Sequence, residues 1–229
     1  MARSLILKIL MTTTLLVGNV ASAAETKLKD GQYYTLEATG CMILQECTDS
    51  VKEIHSMLDI SSEYGNIDKF TPVTAEFNNM ISSLYDVDVK VFLADPKYFP
   101  PGHRGVYHTV SNNFYLNRAF MHRPSTLMSV MRHEGWHAAQ DCMAGTIKNS
   151  LIAIIYPEES VPRIWREIAE KSYSETPSAI PWEAEATWAG KTEEMTMKAL
   201  QACANGNMWE VYEPTPLTRK WLIQEGYIK

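Results

Sequence analysis

Beyond its first two dozen residues the chain has no apolar run long enough to cross a bilayer, which takes about 20 consecutive apolar residues. The segment Leu151 to Tyr156 is apolar but short, and is expected in the core. Positive charge is also scarce: 21 Lys and Arg stand against 27 Asp and Glu, a net charge of −6. Phosphate backbones are gripped by clustered Lys and Arg, so an acidic chain with no basic patch is a poor partner for nucleic acid. No internal repeat or low-complexity segment is visible, which sets aside solenoids and arrays. Cysteines number four, and none forms a Cys-x-x-Cys pair, so a cysteine-rich metal site is disfavoured.

What is present begins with an export signal. Arg3 and Lys8 precede the apolar stretch Ile9 to Val20, and Ala21-Ser22-Ala23 offers small residues for cleavage. Residues 1–23 are therefore read as a signal peptide, and residues 24–229 as a single domain of a periplasmic or secreted protein with no stable membrane span. Cleavage removes two basic residues and no acidic ones, taking the net charge from −6 to −8. An even number of cysteines in an exported chain implies two disulfides. Cys41 with Cys47 closes a short loop, and Cys142 with Cys203 ties two helices together; three connectivities are open on the sequence, and this one is preferred.

Periodicity gives an α+β, mainly helical reading with a small antiparallel sheet. A short strand is expected near Tyr33 to Leu36. A helix from Thr48 or Asp49 to Tyr64 would bury Val51, Ile54, Met57 and Leu58. A second, opened by Thr71-Pro72, runs to Tyr85 and buries Phe77, Ile81 and Leu84. Val87, Val89 and Val91 alternate with charged residues and predict a strand over 86–91. Residues 105–110 and 114–117 read as a hairpin turned at Ser111-Asn112-Asn113. Later, Val161-Pro162 opens a helix with Ile164, Trp165 and Ile168 on its face. Pro181 begins a long helix to about Ala204, stopped by Asn205-Gly206-Asn207.

Between the hairpin and the later helices lies Arg132-His133-Glu134-Gly135-Trp136-His137. On a helix His133 and His137 project from one face a turn apart, close enough to share a divalent ion. Glu134 lies about 100° round the helix, where it can take a proton from a water on that ion. A shuffled sequence of this composition yields His-Glu-x-x-His with a chance of roughly one in eighty, so the surroundings must carry the assignment. They are helical: Ser125 or Thr126 can cap, and Leu127, Val130, Met131, Glu134 and Ala138 recur at spacings of mostly three and four. Gly135 either permits a close approach or makes room for a neighbour, and Gly145 supplies a stop.

A catalytic zinc site needs a third protein ligand. No histidine follows His137, and Glu183 and Glu185 are the strongest downstream candidates. His55, His103, His108 and His122 read as surface or structural residues, although His103 and His108, with Tyr107 and Tyr115, could face a cleft beside the metal helix. The pair of motifs resembles the gluzincin zinc metallopeptidases. Glu183-Ala184-Glu185-Ala186-Thr187 is similar to the Glu-x-Glu-Ala-Asp stretch of the CaaX prenyl protease family and related small gluzincins. That resemblance implies a zincin-like fold in which His133, His137 and Glu183 bind Zn²⁺ and Glu134 is the general base, acting on a peptide or protein substrate. It places Thr187 where the family has an Asp that orients the site, and Asp141 is the available substitute. Tyr107, His108, Tyr173, Tyr212 and Arg219 are candidates for stabilising the oxyanion. The competing expectation is a non-catalytic zinc-binding protein of the cell envelope.

Overall fold

The structure, a computed structural model, describes residues 35–229. The expected signal peptide lies outside them. Of the strand expected near Tyr33 to Leu36, Tyr33 and Tyr34 also lie outside the described residues; Thr35 caps helix α1 (Leu36–Ile43) by accepting the Ala38 N–H, so Leu36 begins a helix. Strand β1 (Val51–Glu53) and helix α2 (Met57–Tyr64) replace the single helix expected from Thr48. The reason is local. Ser56 and Asp59 form a capping box that starts the helix after Ile54, whose N–H bonds to the Val91 carbonyl.

Helices α3 (Ile67–Phe70) and α4 (Thr74–Tyr85) follow, joined through a 3-10 turn at Thr71–Val73. Strand β2 (Lys90–Ala94) begins later than the alternation predicts. Val87 and Val89 are buried as expected, yet their N–H groups bond to the Leu84 carbonyl and Asp88 is left-handed at φ 61°. That turn closes the end of α4 and buries the same valines without strand geometry. Strands β3 (Gly105–His108) and β4 (Asn113–Asn117) form the expected hairpin, with Tyr107 opposite Phe114. The sheet order is β1-β2-β4-β3. Because β4 inserts beside β2 in parallel, the sheet is mixed rather than wholly antiparallel.

Helix α5 (Pro124–Met143) carries both histidines. Pro124 is its first residue and Arg123 its cap position, two or three residues before the expected cap at Ser125 or Thr126. The helix is buried along most of its length, against β3, α7 and α8. A Cβ on Gly135 would stand 3.0 Å from Thr196 Cγ2 of α8, so the glycine permits close helix packing. Thr196 completes that contact by donating to the Arg132 carbonyl at 2.7 Å.

Helix α6 (Arg163–Ser172) packs on α7 (Ile180–Ala189) through Trp165 and Ala169. Ile164, expected on the buried face, is 55% exposed. The long helix expected over 181–204 is broken: α7 stops at Ala189, and α8 (Met195–Ala204) starts from Glu194 at φ 62°. Short helices α9 (Met208–Val211) and α10 (Pro216–Gln224) complete the chain. Both expected disulfides are present, and Cys142–Cys203 fastens the end of α5 to α8. Among the described residues no helix is long and apolar enough to cross a membrane.

Candidate metal centre

The i, i+4 spacing on α5 sets the His133 and His137 rings edge to face, 5.0 Å between centroids. The first turn of α7 brings Glu183 against them. Its Oε2 lies 3.3 Å from His133 Nε2 and its Oε1 lies 3.6 Å from His137 Nε2. Donor atoms from the three residues all fall within 4.8 Å of one another, the single such group among the described residues. Ligands about 2.1 Å from a tetrahedral ion stand ~3.4 Å apart, so both separations fit ligands sharing one ion. They are longer than charge-assisted hydrogen bonds, which run about 2.7–2.9 Å. Glu183 Oε2 is buried with no hydrogen-bond partner, an arrangement a cation at this point would satisfy. The group could therefore hold a metal ion.

Charge within the group is strongly coupled. Burial alone would raise the Glu183 carboxyl, but the two imidazoles facing it, His133 and His137, hold it far below the usual carboxylate range. For His137 burial works downward and is outweighed by Glu183, which lifts the ring to about 9. A metal ion would displace that proton.

Glu185, the other sequence candidate, is not part of the group. Residues two apart on a helix point about 200° from each other. Its carboxylate is 1% exposed and accepts from Trp136 Nε1 at 3.1 Å, Gln140 Nε2 at 2.8 Å, and the N–H groups of Ile155 and Tyr156 at 3.0 and 2.6 Å. It fastens the irregular segment after α5 to α7.

Glu134 is buried beside the histidines. Pairing alternates along β3, so Tyr107 turns its N–H away from β4 and donates to Glu134 Oε2 at 3.0 Å. The strand comes this close only because Gly105 has no side chain: a Cβ there would stand 2.6 Å from Val130 Cγ1 and 3.0 Å from Glu134 Cγ.

No protein-family model, curated protein or solved structure matches the chain.

Of the five candidate oxyanion donors, Tyr173 at the end of α6 is the one coupled to the group. Its hydroxyl is pushed up by burial, then by charge and hydrogen bonding from Glu183 and charge from Glu134. The Tyr107 hydroxyl is committed to Asp141 Oδ2 at 2.9 Å, and His108 to Ser111 Oγ at 2.7 Å. Tyr212 packs edge-on against Tyr156, and Arg219 lines a separate 570 Å³ cavity with both. His55 rests against Tyr85, and neither His103 nor His122 joins the group.

The expected orienting role of Asp141 is corrected by its contacts: it bonds to Tyr107, and no histidine. Gln140 takes that place, with its Oε1 2.8 Å from His137 Nδ1. Sequence reasoning passed over Gln140, although its i+3 spacing from His137 put it on the right side of the helix.

Proposed function

We propose that the protein is an exported zinc-dependent peptidase. The observation that carries this reading is the convergence of His133, His137 and Glu183 within ligand distance, with the buried Glu134 alongside on the same helix. Two neutral imidazoles and one carboxylate are the donor set of several catalytic zinc sites, which keep a fourth position open. Bound there, a zinc ion supplies a Lewis acid and acidifies a water towards neutrality.

The chain's own groups do the rest. The Tyr107 N–H fixes one oxygen of Glu134, leaving the other to take a proton from the attacking water and pass it to the leaving amine. Tyr173 donates its hydroxyl proton in a hydrogen bond to the oxyanion, the point where charge develops. Burial keeps that phenol protonated across the working range. Gly105 brings β3 close enough to act as one wall of the site. Export is supported by the basic-apolar-small pattern of residues 1–23 and by the two disulfides, which persist in oxidising compartments.

The test is Glu134→Gln, assayed on a broad peptide library with zinc content measured in parallel. It should keep its zinc and lose hydrolysis. Turnover equal to the parent protein refutes the assignment. Zinc binding by the parent protein without hydrolysis of any peptide would move the reading to a non-catalytic zinc-binding protein.

A further inference from the structure

The Gln140 side chain has only one orientation that satisfies its neighbours. Its amide nitrogen lies 3.2 Å from the Trp182 carbonyl, which can only accept, and 2.8 Å from the Glu185 carboxylate, which accepts from three further N–H groups. Turning the amide over would set its oxygen against both acceptors and lose two hydrogen bonds. The oxygen must therefore face His137 Nδ1, and an oxygen there requires Nδ1 to carry the proton. We infer that Gln140, oriented by the buried Glu185 carboxylate, is a positioning residue that locks His137 in its Nδ1–H tautomer and leaves the Nε2 lone pair aimed at the metal. The inference rests on the reading of His137 as a ligand.

Glu185 is suited to this task by its fixity. Trp136 Nε1 and the Ile155 and Tyr156 N–H groups occupy its remaining acceptor directions, so the carboxylate cannot swing away from Gln140. The chain of contacts thus runs from the backbone of the 155–156 segment through Glu185 and Gln140 to the ring. A neutral histidine in water favours Nε2–H, so the lock reverses an intrinsic preference. Partners of this kind commonly change metal affinity 10–100-fold.

Long-range ¹H–¹⁵N spectra of the metal-free parent protein at pH 10, where the ring is neutral, read the tautomer directly. The expected pattern has the His137 proton on Nδ1. A proton on Nε2 overturns the inference. Zinc affinity, measured by competition with a chromophoric chelator, gives the second arm. Gln140→Leu should lose 10–100-fold in affinity and Gln140→Glu should also lose, because two carboxylates then meet in a buried site. In Gln140→Leu the neutral His137 ring, freed of its Nδ1 acceptor, should carry its proton on Nε2 in the same spectra. A merely structural role for Gln140 leaves the tautomer where it was, and an Nδ1 proton that persists in Gln140→Leu would also overturn the inference. If the parent protein bound no zinc at all, the peptidase reading would fall while the tautomer measurement still decided this one.

Discussion

Asp141 offers a stability test that needs no metal and no substrate. Its side chain is fully buried one turn beyond His137, with the Tyr107 hydroxyl on Oδ2 and no partner for Oδ1. Burial raises the carboxyl to about 8, against a weaker downward pull from Tyr107. An acid whose folded pKa is raised favours the fold fully below its unfolded pKa and loses that contribution as pH climbs to the folded value. The window therefore runs from ~4, the unfolded value, to about 8. The separation corresponds to ~5 kcal/mol. Asp141→Asn keeps the shape and an acceptor for Tyr107 but cannot ionise. Near pH 4 the two proteins should melt together. By pH 8 the variant should be the more stable by several kcal/mol, a difference on the order of 10 °C for a chain of this size. His137 contributes in the same direction, its raised pKa of about 9 favouring the fold at low pH. Both proteins carry that contribution, so it cancels in the comparison. Near-UV circular dichroism melts from pH 4 to 8.5 in chelator give the measurement. Parallel curves across that range would show that Asp141 is not held protonated by burial.

Tyr173→Phe should lower kcat on the order of 100-fold with KM little changed, since the lost hydrogen bond forms only as the oxyanion does; an unaltered kcat in steady-state assays removes Tyr173 from the mechanism. Replacing Cys142 and Cys203 by Ser should destabilise the fold by about 4 kcal/mol on the chain-entropy relation, given their sequence separation of 61. The Cys41–Cys47 pair, separated by 6, should cost about 2 kcal/mol by the same relation; urea titrations that rank the two bridges in the opposite order would contradict it.

What was legible in the sequence follows from how far each signal reaches along the chain. The histidine pair was legible because i, i+4 geometry is a property of any helix, and the run from Leu127 to Ala138 announces one. The hairpin was legible from two short strands and a polar turn. The misplaced strand shows the converse. Val87, Val89 and Val91 are all buried, but burial at every second residue also arises in a tight turn folded back on a helix end. The three-residue strand β1 is too short to carry a period. Its residues belonged equally well to a helical pattern until the capping box at Ser56 and Asp59 decided where α2 starts. The break between α7 and α8 depends on Glu194 adopting a left-handed conformation, and an ordinary glutamate gives no warning of that.

The third ligand marks where sequence alone stops. Glu183 and Glu185 have the same chemistry and lie on one helical turn, so propensity cannot rank them. Their roles are divided by the rotation of α7 about its axis, which is fixed by packing. Ala184 and Ala186 are buried, and Glu185 enters the interior where Trp136, Gln140 and two backbone N–H groups wait for an acceptor. With Glu185 drawn inward, the pitch of the helix turns Glu183 to the histidines. The interior donors thus place Glu183 as much as any attraction at the metal group does. Removing them should release α7 to rotate, and both carboxylates would then lose their assignments together.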